Sequence, residues 1–302
     1  MTGAAAAPSA GRRAPVSPSV VLFISVLAMS WAAPLIRFAT ADALAISFWR
    51  VAIALPCIAA MLTLRREWSD LAILRPREWA TAILAGVFLA GHFATWIASV
   101  ALTSVAASVA LVATQPVWVA IFALVALGER PSSRQWAGIV IAVLGAGVIG
   151  WGDLGGGADP IRGDLLALAG AMLVAGYYVI GRNLRVGIGL WPYVGIVYGA
   201  AAVTLLLALL STGQPVFGPY PARDWLVFLG LAAGPMMIGH TGQNWALRYL
   251  PAYAVNLTLL GEPLGATIIA WLLPAIAETP PVEAVLGGTL ILTGILLGLR
   301  RR

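Results

Sequence analysis

The 302-residue chain is 61% apolar and 10% charged, whereas soluble domains run at about 45–50% and about 25%; a soluble fold of this length cannot hide that much apolar surface, so lipid is the solvent for much of it. At roughly 30 residues per apolar span with its loop, the length allows about ten membrane helices and leaves no stretch for a soluble domain. The net charge of +6 is carried by arginine alone, with no lysine, and the arginines stand singly or in pairs between apolar runs, which marks topology determinants and excludes a nucleic-acid surface.

Residues 1–17 are rich in Ala, Pro and Ser and hold Arg12 and Arg13; this composition predicts a disordered tail. The apolar run that follows, with Ala28-Met29-Ser30 as a cleavage site, also fits a secretory leader, but the helical repeat below needs it as a retained span. Apolar runs between charged or Pro/Gly breaks predict ten helices, at 18–37, 44–64, 79–100, 104–127, 136–152, 164–181, 190–210, 225–247, 252–273 and 282–299. The stretch 79–127 has no charge beyond His92 and is too long for one span, so it is read as two. Cys57, the single cysteine, lies inside an apolar run and has no internal partner.

The positive-inside rule checks the count. With a cytoplasmic N-terminus, 14 arginines fall inside, three outside (Arg37, Arg162, Arg223), and Arg50 falls within a helix. An odd number of spans would scramble that split, so both termini are expected in the cytoplasm of a cell (inner) membrane protein.

The two halves repeat. Gln115-Pro116 corresponds to Glu262-Pro263, 147 residues on, and Glu129-Arg130-Pro131 corresponds to Glu278-Thr279-Pro280, 149 on. Gly138 and Gly145 correspond to Gly287 and Gly294 at the same 149. Five helices per copy is odd, so the copies enter the membrane from opposite sides, related by a pseudo-two-fold axis in its plane. The charges agree: Arg130 and Arg248 lie on cytoplasmic turns, and their outer counterparts are Thr279 and Ala101. The expected organisation is an all-α membrane fold: a tail 1–17, a first five-helix repeat 18–152, an outer linker 153–163, a second inverted repeat 164–299, and a cytoplasmic end 300–302.

Trp31 in the first helix, Arg50 in the second, Pro116 with the Gly128-Glu129-Arg130-Pro131 turn, the Gly138/Gly145 helix and the second-half copies Glu262-Pro263, Glu278-x-Pro280 and Gly287/Gly294 together resemble the EamA type of the drug/metabolite transporter superfamily. The likeness covers about residues 18–299. It implies ten spans, a central cavity between the halves and export or exchange of small metabolites, with amino-acid exporters prominent; it does not fix the substrate.

Ionisable groups inside spans are costly and are functional candidates by default. His240, Gln243 and Asn244 lie on one face of the eighth helix, and His92, Trp96 and Ser99 form a stripe on the third. Cavity lining and interhelical fastening both fit these stripes. His92 falls within one position of the counterpart of His240, so the two are expected to approach across the pseudo-two-fold. Glu262, the deepest acid, fits a proton or cation site or a paired residue beside the Pro263 kink; the first half carries Gln115 there. Arg50 can snorkel, pair with Asp42 or Glu262, or hold a substrate carboxylate. Tyr177 and Tyr178 add aromatic surface to the cavity set. Trp31, Arg50, Pro116 and Pro263 are read as gating or structural positions. The glycines of the fifth and tenth helices fit packing within one chain or a homodimer.

An intramembrane enzyme is disfavoured by the lack of Gly-x-Ser-x-Gly, of a mid-span Asp pair and of His-x-x-x-His spacing; no phosphate loop is present. Neither metal nor cofactor is expected. A channel would want rings of charge or filter carbonyls. The expected function is carrier-type export or exchange of a small metabolite by alternating access, amino acids leading, with a drug-like cation driven by protons through Glu262 as the alternative.

Overall fold

The computed structural model describes residues 14–103, 105–151, 158–272 and 282–299; the turn Glu278-Thr279-Pro280, Arg12, Arg13 and the arginines 300–302 lie outside them. Among the described residues every regular element is helical. In chain order these are α1 (Pro18–Met29), α2 (Ala32–Arg37), α3 (Ala43–Ala52), α4 (Ala54–Arg65), α5 (Trp68–Ala72), α6 (Pro76–Leu102), α7 (Val105–Val112), α8 (Gln115–Leu127), α9 (Ser133–Trp151), α10 (Pro160–Arg185) and α11 (Leu190–Ser211). Then come α12 (Ala222–Leu231), a π-helical stretch (Ala232–His240), α13 (Thr241–Ala246), α14 (Ala252–Leu259), α15 (Gly261–Leu272) and α16 (Val282–Leu299). Among the described residues, seven helical segments are long and apolar enough to cross a membrane: Pro18–Arg37, Ala43–Arg65, Pro76–Leu102, Ser108–Leu127, Pro160–Arg185, Leu190–Ser211 and Ala222–Ala246. Ser133–Val148 and Val285–Leu299 are apolar but shorter.

Prolines set the breaks. Proline has no N–H and its ring clashes with the carbonyl four residues earlier. The regular turns stop at that residue each time: α3 at Ala52 before Pro56, α7 at Val112 before Pro116, α12 at Leu231 before Pro235, and α14 at Leu259 before Pro263. Pro116 and Pro263 each lie in the first turn after such a break, where the regular turns resume. After Leu231 the chain relaxes into wider π turns, which hold Pro235 and end at His240. Such turns gather at functional sites.

The long helices start where their caps predict. At α6 the Arg75 N–H donates to the Glu78 carboxylate at 2.9 Å, with Pro76 in the first turn. At α10 the Asp159 carboxylate accepts from the Arg162 N–H at 3.3 Å ahead of Pro160. Gly128 closes α8 in the left-handed region, at φ 67°. Hydroxyls within the spans donate back to the preceding turn, as Ser47 does to Ala43, Thr95 to Gly91 and Thr204 to Ala200; they need no water in a dry interior.

Elements from the two halves of the chain pack on each other. Helix α10 lies along α6, and α1 lies along the π stretch and α13; α8 packs on α10, and α15 packs on α1 and α2; α3 and α4 of the first half meet α11 of the second. Helices α9 and α16 pack along each other within the chain. The contact is built on glycine, where a side chain would collide with backbone: a Cβ on Gly138 would stand 2.6 Å from the Gly294 carbonyl oxygen, and one on Gly145 2.6 Å from that of Gly287. These glycines thus pack inside one chain.

Candidate functional site

The helix breaks converge. Met29 ends α1, Val112 ends α7, Gln115 opens α8, Glu262 lies in the first turn of α15, and Pro235 and His240 lie in the π stretch. Together with Ala32, Arg50 of α3, His92 and Trp96 of α6, and Val174 and Tyr178 of α10, they line one small, partly open space. A second small space adjoins it and shares Trp96, Val112, Gln115 and Glu262 as walls. Interrupted helices put irregular backbone at this depth, which is tolerated where it faces protein or a wet cavity.

The first space is the charged one. Arg50 is 1% exposed, and its Nε and Nη1 have no hydrogen-bond partner. Its guanidinium rests 4.0 Å over the Phe93 ring, a cation–π contact that offsets part of the desolvation cost. No ion pair joins Arg50 to an acid among the described residues. Glu262 lines the same space, and no ion pair within 4 Å joins it to Arg50 among the described residues. Trp96 adds a buried indole N–H that also lacks an acceptor.

The histidines flank this pair. The His92 Nδ1–H donates to the Gly170 carbonyl at 3.0 Å, which fixes the Nδ1–H tautomer of the neutral ring. Its ring stacks parallel to Trp96, centroids 5.9 Å apart. His240 Nδ1 lies 3.4 Å from the Tyr178 hydroxyl, a long contact. Phe93 touches both imidazoles, at 5.2 Å from His92 and 5.3 Å from His240. The two histidines therefore meet through one phenyl ring.

The remaining sequence candidates sit elsewhere. Ser99 is buried away from both spaces, donating to the Trp96 carbonyl at 2.7 Å and lying 2.6 Å from the Ser108 hydroxyl. Asn244 donates to the Tyr177 hydroxyl and to the His240 carbonyl. Gln243 is fully buried with both amide atoms unpartnered. Of the eighth-helix stripe, only His240 lines the first space. Pro116 stands behind Gln115, outside both spaces, whereas Pro263 lines the second. Trp31, at the turn between α1 and α2, is 42% exposed.

The sequence reading missed three features. Phe93 joins Arg50 to His240, but it is one residue from His92 and so about 100° around the helix from the stripe. Arg185, counted among the loop arginines, is 1% exposed and donates from Nε to the Asn244 carbonyl at 2.9 Å and from Nη1 to the Ile188 carbonyl. Glu129 does more than mark a turn. Its carboxylate accepts from Arg182 Nε at 2.8 Å and from the Ala252 N–H at 3.1 Å, while Arg182 Nη1 donates to the Leu247 carbonyl at 2.8 Å. This junction ties α8, α10, α13 and α14 at one end of the bundle. At the other end of α10, Asp164 accepts from Thr103 at 2.8 Å, and Asp224 takes the Thr40 N–H and hydroxyl at 2.9 and 2.8 Å.

The EamA-like transporter family model matches twice, over residues 17–151 and 161–300, and the chain belongs to that family. That family is one of membrane transporters. A probable terminal-alkyne amino-acid exporter of Streptantibioticus cattleyicolor is 32% identical over 63% of this chain and 63% of its own length. The uncharacterized transporter YdfC of Bacillus subtilis is 26% identical over 61% and 59%. The matched region thus spans about three fifths of the length of these relatives. An uncharacterized transporter of Archaeoglobus fulgidus is 26% identical over 88% of this chain and 91% of its own. One solved crystal structure superposes with a TM-score of 0.77 over 94% of this chain and 97% of that one, at 19% identity, which speaks to the fold alone.

Proposed function

We propose that the protein is a carrier that exports small zwitterionic metabolites, amino acids foremost, across the cell membrane by alternating access. The observation that carries this reading is one cavity walled by both Arg50, whose Nε and Nη1 lack hydrogen-bond partners, and Glu262. A buried guanidinium without an anion is costly, and a substrate carboxylate would satisfy it. A substrate ammonium would satisfy Glu262. A dianion such as a sugar phosphate would want two or more inward cations; Arg50 is the one arginine on these walls. The name of the Streptantibioticus relative points the same way.

The mechanism rests on ten spans arranged as inverted repeats 18–152 and 164–299 joined by 153–163, both termini cytoplasmic. Three observations support it: two family matches of similar length, packing partners that exchange between halves, and the crossed glycine contact. In that contact Gly138 meets Gly294, the counterpart of Gly145, while Gly145 meets Gly287, the counterpart of Gly138. Such reciprocity is what a local two-fold produces. Two pseudo-equivalent halves have two pseudo-equivalent states, opening the cavity to either side. The Glu129–Arg182–Ala252 junction then closes the cytoplasmic side.

The second reading, a proton-driven drug-like cation, rests on Glu262 lining both spaces. Proteoliposomes decide between them. Saturable counterflow of labelled neutral amino acids, lost in Arg50→Met, is expected. Flux of a phosphorylated solute or of an organic cation with none for any amino acid would overturn the zwitterion reading.

A further inference from the structure

The span that carries His240 holds two residues more than its counterpart in the first half. Helices α6 and α12 follow N-caps 146 residues apart, Arg75 and Pro221, and Arg77-Glu78-Trp79 corresponds to Arg223-Asp224-Trp225 at the same offset. Further along, Gly91-His92 corresponds to Gly239-His240 at 148. The step from Trp79 to Gly91 is 12 residues, and that from Trp225 to Gly239 is 14. Each residue of a regular α-helix turns the chain by about 100°, so two extra residues would carry His240 about 200° round from the face that His92 occupies on α6. Yet both imidazoles line the first space and both touch Phe93. The π stretch Ala232–His240 takes up the extra residues; the corresponding segment of the first half, 84–92, is plain α-helix within α6.

Hydroxyls hold those wider turns. Thr241 Oγ1 donates to the Met236 carbonyl at 3.2 Å, five residues back, whereas Ser47, Thr95 and Thr204 donate to the residue four back, in the α register. The Thr241 N–H reaches the same Met236 carbonyl. The Tyr198 hydroxyl of α11 stands 3.1 Å from Thr241 Oγ1 and 3.5 Å from that carbonyl, and Ser25 of α1 donates to the Ile238 carbonyl at 3.3 Å. Tyr198, Thr241 and Ser25 are all buried. At the corresponding positions the first half has neither the phenol nor the threonine hydroxyl: 148 residues before Tyr198 stands Arg50, and 148 before Thr241 stands Phe93. Those two also meet, as a guanidinium over a ring. The same contact between corresponding helices thus presents a cation in one half and clamps the helix register in the other. We propose that Tyr198 and Thr241 are positioning residues for transport: their hydroxyls hold the span in its π register and so keep His240 on the cavity wall. This rests on the carrier reading above, in which that wall belongs to the transport path.

Neither residue lines the two spaces, so the effect of each should pass through His240. Counterflow of labelled neutral amino acids is measured per folded molecule in proteoliposomes. Tyr198→Phe and Thr241→Val should each lower it about fivefold, as the loss of one hydrogen bond implies. Thr241→Ser keeps the hydroxyl and should stay near the wild type. Combined with His240→Ala, neither change should lower flux by more than about a further twofold, because residues that act through one another do not add. A shortened chain without Ala233 and Gly234 has 12 residues between the same anchors and nothing extra to hold, so Tyr198→Phe should be silent there. Should that chain not fold, the combination with His240→Ala decides. Losses that multiply with that of His240→Ala, wild-type flux in Thr241→Val, or an undiminished Tyr198→Phe effect in the shortened chain would overturn the assignment and leave the zwitterion reading standing. Amide hydrogen exchange over 232–241 supplies a readout that needs no substrate. It should quicken about fivefold in Tyr198→Phe and Thr241→Val, and not in Thr241→Ser. If the wild type carries no amino acid, the zwitterion reading falls and exchange alone decides here: exchange unchanged in both variants would sink the clamp too.

Discussion

Gly138 and Gly294 stand so close that a Cβ on either would meet the other's carbonyl oxygen, at 2.6 Å from Gly138 and 2.5 Å from Gly294. The obstacle is backbone, which cannot rotate aside as a side chain can. Gly138→Ala or Gly294→Ala should therefore push α9 and α16 apart. A destabilisation of about 1–3 kcal/mol is expected, read as a lower melting temperature in detergent. Gly145→Ala should behave alike, because it makes the counterpart contact with Gly287. Gly147 has nothing within 4 Å of its Cβ position, so Gly147→Ala is the control and should be neutral. A glycine stripe serving dimerisation instead would lower dimer content and spare the monomer's melting temperature.

Arg50 is expected to oppose stability while serving transport. It is buried, and two of its three nitrogens lack partners. Arg50→Met keeps much of the stem's volume over Phe93 and removes the charge. Melting temperature should hold or rise, because an unpaired buried charge is lost, while amino-acid flux should fall more than tenfold. A large drop in stability with flux per folded molecule intact would make Arg50 a scaffold residue.

How much of this was legible in the sequence depends on range. Span positions and the proline breaks follow from local rules: apolar runs on the one hand, and a ring against the carbonyl four residues earlier on the other. Stripe logic found His92, Trp96 and His240, but it also returned Ser99. A single helix face passes from cavity to interhelical contact within two turns, and Ser99 meets Ser108 there. Arg185 looked like a loop charge because two carbonyls that accept its guanidinium, those of Asn244 and Ile188, follow it in the chain. Trp31 matched the family pattern, yet it sits exposed beside a turn. The glycines of α9 and α16 were visible as small residues; their partner was not, because a small-residue stripe reads the same in a bundle or a dimer.

The Glu129 junction predicts a coupled pair. Its carboxylate serves Arg182 through one oxygen and the Ala252 N–H through the other. Both side chains are largely buried, at 17% and 13% exposure, so solvent screens the pair less than a surface one. Glu129→Gln and Arg182→Gln should each cost about 1–3 kcal/mol. Their double mutant should cost less than the sum, with a coupling on the order of 1 kcal/mol. If the junction also closes one side, a cysteine placed at the cavity wall should become more reactive to a membrane-impermeant reagent from the cytoplasmic side in Glu129→Gln. Unchanged labelling beside lowered stability would leave the junction a static fastener.

The two histidines should respond differently to removal, although the sequence presents them as a pair. His92 donates to the Gly170 carbonyl at 3.0 Å, and Gly170 sits where α10 packs on α6. His92→Ala strands that carbonyl in a dry setting, so a loss on the order of 1 kcal/mol is expected. His240 has the 3.4 Å approach of the Tyr178 hydroxyl, plus ring contacts with Phe93, Tyr177 and Tyr178. His240→Ala leaves no carbonyl waiting, and its cost should be smaller. Both rings line the charged space, so both variants should lower flux per folded molecule. His92→Asn is the informative third variant: its amide can donate toward Gly170 if the shorter side chain reaches, restoring stability without restoring the imidazole. Melting temperature and counterflow measured on the same preparations separate the roles. Flux that recovers together with stability in His92→Asn assigns His92 to the scaffold. Flux that stays low while stability returns assigns its free Nε2 face to the transport path. Equal stability losses in His92→Ala and His240→Ala would show that the Gly170 bond is not what distinguishes them.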